Sequence, residues 1–408
     1  MVFLSSLSYG QSYRTFRWEL EQIIKQTKLR IGPFRIYPTL QLRDIGYDDN
    51  VYYQREDDEP ISDFTSTISP IFRVNLIFRN SLILSLTENP EYVFYFKQKR
   101  ERRWNNTLTP EFRLLILKRF VLSGSYSYSN RRWRATSEFD IKANELRESS
   151  EGSLFYETPR GTSFGISASS QKISYEDVTL PGQEIYLSRL LNREERGGNL
   201  EFYYRFFSEL FFFIKTGYTE YNFEDPTSQW RNSHSYQALA GIRFPLMSRL
   251  RGTFSLGYKR LVPHREDKKT FSGLFGNTSL DFRVGRFNFN ISYNRNNYFS
   301  YWTESVYFID DAYGAGISFY LTSFLRLDYY YLYGMSRYPE LTTVFFPEEG
   351  SKELKRKDYY RTHRMGLVFR VIRNTGIGIM ANIWERSSNY FFENRKRTFI
   401  GGYVTYEF

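Results

Sequence analysis

Residues Phe287 to Asn294 read Phe-Asn-Phe-Asn-Ile-Ser-Tyr-Asn. This unbroken period-two alternation puts Phe287, Phe289, Ile291 and Tyr293 on one face and Asn288, Asn290, Ser292 and Asn294 on the other. Only a pleated strand separates alternate residues in this way. The pattern recurs in Leu122–Tyr128, Leu200–Phe206, Leu325–Tyr331 and Met365–Val371, with polar or charged residues opposite the apolar face. A face that is apolar over about four alternate positions would aggregate on a soluble sheet. A wall facing lipid requires it.

Composition sharpens the point. Phe (38) and Tyr (35) dominate an aromatic content of 19%, yet mean hydropathy is −0.53. A membrane barrel reconciles the two with an apolar outer band, aromatic girdles and a polar lumen. No apolar run approaches the roughly 18 residues of a spanning helix; Phe211-Phe-Phe-Ile214 is the greasiest stretch. A chain that enters a bilayer without such a helix must close a barrel, because only closure satisfies every backbone group in lipid. A propeller has a similar repeat spacing, but no glycine-aspartate blade signature recurs. The net charge of +11 could suggest nucleic acid, but its distribution along alternating strands argues against that partner. The absence of Cys excludes disulfides and thiolate metal sites.

Short turns fall near Asn80, Arg119, Arg160, Ser208, Ser248, Gly285, Ser323 and Asn374. Longer polar segments lie between them, at Asp48–Asp63, Lys97–Arg103, Asp177–Glu184 and Pro339–Lys357. Short turns on one side and long loops on the other describe an all-β, antiparallel, up-and-down transmembrane barrel in the bacterial outer membrane, with about 18 strands. Residues 1–11 read as the remnant of a signal peptide, 12–33 as an N-terminal amphipathic helix or periplasmic segment, and 34–408 as the barrel. In Thr15–Arg30, Phe16, Leu20, Ile23, Ile24 and Thr27 recur at helical spacing, and Gly32-Pro33 stops the helix. This helix is expected to rest on the barrel rim, the alternative being a plug of the periplasmic mouth or a docking element. The last strand ends in Tyr406-Glu407-Phe408, with Tyr406 and Phe408 on one face. Such a terminus resembles the signal by which the barrel assembly machinery recognises its clients.

Several short motifs, in order along the chain, carry a resemblance. They are Leu29-Arg-Ile-Gly-Pro-Phe-Arg-Ile-Tyr-Pro38 with Leu40, Leu42 and Tyr47-Asp-Asp-Asn-Val51, then Ser62-Asp63 with Ile68-Ser-Pro70. Leu191-Asn-Arg193, Gly257-Tyr258 and Arg386-Ser-Ser-Asn389 follow. The chain resembles a β-barrel porin family whose members accompany exopolysaccharide biosynthesis and export operons. The resemblance implies an outer-membrane pore for an acidic or neutral polysaccharide, working with a periplasmic polysaccharide-export protein.

Strand parity assigns Arg43, Arg73, Arg113, Arg205, Lys215, Arg243, Arg251, Arg283, Arg326, Arg364 and Arg370 to the lumen. Inward carboxylates are expected to be fewer: Glu201, Asp281, Asp328 and Glu407. A positive wall would draw anions and repel cations, unless the arginines are matched by carboxylates. The basic run Lys97–Arg103 reads as a solvated loop, with contact to lipopolysaccharide phosphates as the sharper alternative. Asp48-Asp49 and Glu56–Glu59 match no calcium loop. Gly161-Thr-Ser163-Phe-Gly165 has the letters of a nucleophile elbow but opens a strand, and no spacing links His234, His264 and His363 to a metal. No catalytic residue, metal or cofactor is therefore expected, and the chain does not read as an enzyme. Nor does it read as a siderophore transporter, which needs about 22 strands and a plug domain. The expected function is an export pore. The alternatives are a diffusion porin for small anionic solutes and a structural or adhesive barrel.

Overall fold

Alternating sequence becomes alternating burial. Leu200, Phe202, Tyr204 and Phe206 are exposed, while Glu201 and Tyr203 between them are buried. The exposed face is a lipid face and the buried one is an inner wall. The protein is described by a computed structural model covering residues 15–134, 138, 142–180, 183–207, 210–244, 249–302, 304–346, 350–372, 374–390 and 394–408. The segment read as a signal remnant and the turn near Ser208 lie outside the described residues.

The wall comprises β1 (Phe34–Asp48), β2 (Asp63–Phe78), β3 (in two pieces, Leu82–Glu88 and Glu91–Tyr95), β4 (Arg103–Ile116), β5 (Phe120–Trp133) and β6 (Ala143–Glu157). It continues through β7 (Ser163–Tyr175), β8 (Arg193–Phe207), β9 (Leu210–Phe223), β10 (Ser233–Phe244), β11 (Leu250–Pro263) and β12 (Phe271–Val284). It ends with β13 (Phe287–Phe299), β14 (Tyr307–Tyr320), β15 (Leu325–Phe346), β16 (Gly350–Ile372), β17 (Thr375–Ser388) and β18 (Arg395–Glu407). Each strand pairs antiparallel with its neighbours, and β18 pairs back onto β1, Thr39 opposite Glu407 through Asp48 opposite Phe399. The result is a closed barrel of 18 strands. No sheet edge is left to meet lipid.

The short connections are tight. Arg79-Asn80 and Leu117-Lys118 all take positive φ, and Ser81 N–H to Phe78 O and Arg119 N–H to Ile116 O each close the turn at 3.1 Å. Positive φ at both central positions matches the twist of the flanking strands. Pro339–Lys357, read as a loop, is instead the upper part of a tall β15–β16 hairpin that pairs out to Phe346 opposite Gly350. A register shift between Arg337 and Leu341 accommodates Pro339, which cannot donate to the ladder.

The N-terminal helix, α1 (Phe16–Gln26), does not rest on the rim. Phe16, Leu20 and Ile23 pack against Ile83, Leu115 and Val121, three inner-wall residues on β3, β4 and β5 near the short turns. Phe16 N–H donates to Glu157 at 2.9 Å, Glu19 pairs with Arg113, and Thr27 shares a hydrogen bond with Tyr37 at 2.8 Å. Lys28, just beyond the helix, pairs with Glu407 at 2.6 Å. The helix therefore sits inside the turn-side mouth, against β1, β3–β6 and β18. Its apolar stripe finds a dry partner there, in a band of inward Ile, Leu and Val.

Candidate translocation pathway

The lumen runs from the short-turn mouth, which faces the periplasm in barrels of this type, to the loop mouth. All eleven predicted basic residues lie on strand faces opposite the exposed apolar side chains. Their surroundings differ. Arg43 pairs with Glu91, Arg113 with Glu19, Lys215 with Glu201 (3.2 Å), Arg251 with Asp281 (3.5 Å) and Arg326 with Asp328 (2.8 Å). Arg243 lies over the Phe211 ring, Arg283 over Tyr320, and Arg73 donates to Thr87. Arg205, Arg364 and Arg370 have no ion pair among the described residues.

Inward carboxylates extend beyond the four read from parity. Glu91, Glu111, Glu145, Glu151, Glu157, Glu195, Asp310 and Asp358 also point inward, several of them buried. Arg131 joins Arg43 on Glu91 (2.9 Å), Arg147 pairs with Glu145 and Arg193 with Glu195, both at 2.8 Å. The wall beyond the turn-side mouth is thus largely neutral, because guanidinia meet carboxylates two residues along the same strand or reach them across an intervening strand.

Uncompensated charge concentrates at the turn-side mouth. Arg35, Arg113, Arg205, Arg243, Arg251, Arg283, Arg326 and Arg370 each lie within three residues of the turn end of their strand. With Lys28 they make nine cations. Among the described residues, Glu19, Glu157, Asp281, Asp328 and Glu407 are inward carboxylates at that level. The ring is net positive.

At the loop mouth the connections fold inward and meet. Glu138, in the β5–β6 connection, is 1% exposed. It accepts from Ser300 Oγ at 2.6 Å and Tyr301 N–H at 2.9 Å, both in the β13–β14 connection eight strands away. Its backbone carbonyl accepts from Arg386 on β17 at 2.9 Å. Arg231, in a 3-10 turn between β9 and β10, is fully buried and donates to the Trp302 carbonyl at 3.2 Å. Arg386 and Arg356 both engage Asp358, and Trp302 and Tyr338 stack on Arg356, each 4.8 Å from its guanidinium. Leu187 and Leu191, from a short helical turn between β7 and β8, pack with Ile173, Tyr175 and Tyr301. The assembly bridges the mouth from wall to wall and is referred to as the latch. Burial pushes the Glu138 carboxyl up to about 7, against the pull of Arg356 and the bonds from Ser300 and Tyr301. Burial also lowers Arg231, to about 10, while Glu138 nearby works the other way.

The sequence reading missed Glu138, Arg231, Trp302, Arg356 and Asp358, which sit in or beside loops where alternation carries no signal. It did quote Arg386-Ser-Ser-Asn389. In the structure, Arg386 reaches Asp358 and Glu138, Ser388 donates to Asp358 at 2.5 Å, and Asn389 accepts from Lys357 N–H at 2.8 Å. Asp48 and Asn50 of the Tyr47–Val51 motif likewise tie the β1 end to Arg397 and to the Lys396 carbonyl. Asp63 accepts from the N–H groups of Lys97 and Gln98. Ser163 faces inward and is fully buried within a strand, with no strand-turn-helix context.

Residues 25–408 match the family described as "Putative beta-barrel porin 2". The chain belongs to that family. It is an outer-membrane protein, and the fold of this porin is shared with solved barrels. Pseudomonas aeruginosa OccK1 (OpdK) is similar over 91% of this chain and 98% of that one, at 10% identity and a TM-score of 0.50. P. aeruginosa OccK3 (OpdO) is similar over 97% and 99%, at 11% identity and a TM-score of 0.48. The siderophore receptor PirA from Acinetobacter baumannii is similar over 91% and 80%, at 8% identity and a TM-score of 0.44. Such identities speak to fold and not to cargo. Comparison with curated proteins gives no match.

Proposed function

We propose that this porin carries an anionic cargo outward, an acidic exopolysaccharide strand received from a periplasmic polysaccharide-export protein. The observation that carries this reading is the position of the arginine ring. Positive charge at the periplasmic mouth raises the local concentration of anions where an outward-bound polymer enters. The mid-wall beyond it is neutralised by ion pairs, so the polymer is drawn in without being held along the whole path. The latch at the far mouth is the element that cargo must displace.

A second reading, a diffusion porin for small anionic solutes, is favoured by one observation. Helix α1 is anchored on β1 and β3–β6, one arc of the mouth, through Tyr37, Ile83, Arg113, Val121 and Glu157. Planar bilayers separate the two. An export pore conducts poorly as a lone full-length barrel and strongly once the partner binds. A diffusion porin conducts at once. Both readings predict anion preference that weakens with salt and falls when Arg205, Arg243, Arg283 and Arg370 are replaced by Gln. Free conduction by the lone barrel, with surface polysaccharide intact after gene deletion, refutes export. Cation preference in the wild type refutes both.

A further inference from the structure

The outward face of β13–β16 carries a cluster of charge beside its aromatic row. Tyr293, Tyr313 and Tyr333 pair across β13, β14 and β15 in one row, and the first two rings are 5.0 Å apart. Aromatic rows of this kind mark the level where hydrocarbon gives way to headgroups. The next outward positions toward the loops are Arg295 and Asp311, then Arg337 and its cross-strand partner Lys357, then Lys355. Asp311, 1% exposed, holds Arg295 at 2.9 Å and Arg337 on its two oxygens. Lys355 and Lys357 are exposed, with no ion pair among the described residues.

Arg295, Arg337, Lys355 and Lys357 line a crevice of about 230 Å³ together with Ile309, Tyr338, Pro339 and Arg356. It opens where the tops of β13 and β14 leave the wall: β12–β13 pairing stops at Gly276 opposite Arg295, and β14–β15 pairing at Ile309 opposite Arg337. Arg356 forms the back of the crevice. It is fully buried, and its Nη1 has no hydrogen-bond partner. By contrast, outward cations on β7 and β8 are matched, Lys172 with Glu224 and Arg196 with Glu194, both at 2.8 Å.

We infer that this crevice binds the phosphorylated headgroup of an outer-leaflet glycolipid. Four outward cations line the crevice, and two of them share the Asp311 carboxylate. Their height places them beside lipid phosphates rather than acyl chains. Arginine pre-fixed by Asp311 offers a rigid fork to a phosphate, and the two free lysines follow as mobile point charges.

The test uses the full-length barrel in phosphatidylcholine nanodiscs containing bisphosphorylated lipid A, dephosphorylated lipid A or neither, with bound lipid A read by native mass spectrometry. The wild type should retain the bisphosphorylated form selectively. K355E/K357E should bind it about 30-fold more weakly, with the gel heat-shift of a folded barrel retained. A second variant, Lys355→Gln with Lys357→Gln, should weaken binding to a lesser degree and guards against misfolding of the first. Equal retention of dephosphorylated lipid A, or unchanged binding in both variants, overturns the site. Displacement by millimolar inorganic phosphate as complete as in the lysine variants overturns the lipid assignment in favour of a free-anion site.

Discussion

The latch makes the outer mouth sensitive to pH, and the sign follows from Glu138. Its carboxyl is pushed from 4.5 to about 7 by burial in the closed arrangement. In an open mouth the group is hydrated and returns to the ordinary range. The closed state therefore binds a proton that the open state has released between those two values. Closure is fully supported below about 4.5, loses support as pH rises, and has lost it above about 7. The difference of roughly 2.5 pKa units corresponds to about 3 kcal/mol, or about a hundredfold change in the open-to-closed ratio. Planar-bilayer conductance of the purified barrel should rise between pH 5 and pH 8 toward that factor. Glu138→Gln mimics the protonated acid: its amide can accept from Tyr301 N–H and donate to Ser300 Oγ. That variant should stay closed across the range. Glu138→Ala strands both groups and should stay open across it, at a cost to the latch of about 2–4 kcal/mol. The facing groups Arg231, Arg356, Arg386, Asp358 and Tyr338 stay in place in both variants. A wild-type profile shared by Glu138→Gln, or opening on acidification, would refute the reasoning.

Other expectations are independent of the latch. Phe16→Ala removes the fully buried anchor of α1 and should weaken its docking by about 3–5 kcal/mol, seen as protease access to the helix and higher basal conductance at all pH values. Replacing Leu117-Lys118 with Asn-Gly relieves two side-chain-bearing residues held at positive φ. It should stabilise the barrel by about 1 kcal/mol, read as a higher temperature for the gel heat-shift. Phe408→Ala should lower the yield of assembled barrel when assembly machinery is limiting, and unchanged surface levels would show that the terminal ring is dispensable.

Legibility from sequence followed the physics of each region. Within the wall, one constraint acts at every second residue, so Phe287–Asn294 alone reveals its lipid and lumen faces. Closure of 18 strands follows from eight turns and nine loops, because no strand may be left unpaired in lipid. The carboxylates were harder. Glu145 and Glu151 fall in Glu145–Glu151, where both faces are largely polar and parity has no apolar reference, and Glu91 follows the Asn89-Pro90 break that interrupts β3. The tall β15–β16 hairpin was masked by its Lys and Glu content, normal for strands that stand in water above the membrane. The latch was least legible, since it joins residues 162 positions apart, Glu138 and Ser300, through loops with no period. Its only trace was the Arg386–Asn389 motif, whose residues anchor it.

The two mouths rest on different physics, and this separates their behaviour. Helix α1 is seated chiefly by Phe16, Ile83 and Val121, an apolar contact that neither salt nor pH weakens at ordinary strength, with the Glu19–Arg113 ion pair beside it. The latch rests on buried charge: Arg356, Arg386 and Asp358 have given up hydration, and their mutual attraction roughly offsets that cost. A network so balanced is close to neutral as a whole but fails when one member is withdrawn. An anionic chain arriving along the lumen competes for the same guanidinia that Asp358 and Glu138 hold. Cargo can therefore open the outer mouth by exchange of partners, with little net change in buried charge. The inner mouth has no such exchange available to its apolar contact, so opening it requires force on the helix itself, the kind a periplasmic partner bound to α1 can apply. Soluble polyanion added from the loop side should accordingly raise the conductance of the wild-type barrel and leave α1 protected from protease. Loss of that protection on adding polyanion alone would show that the two mouths are not independent.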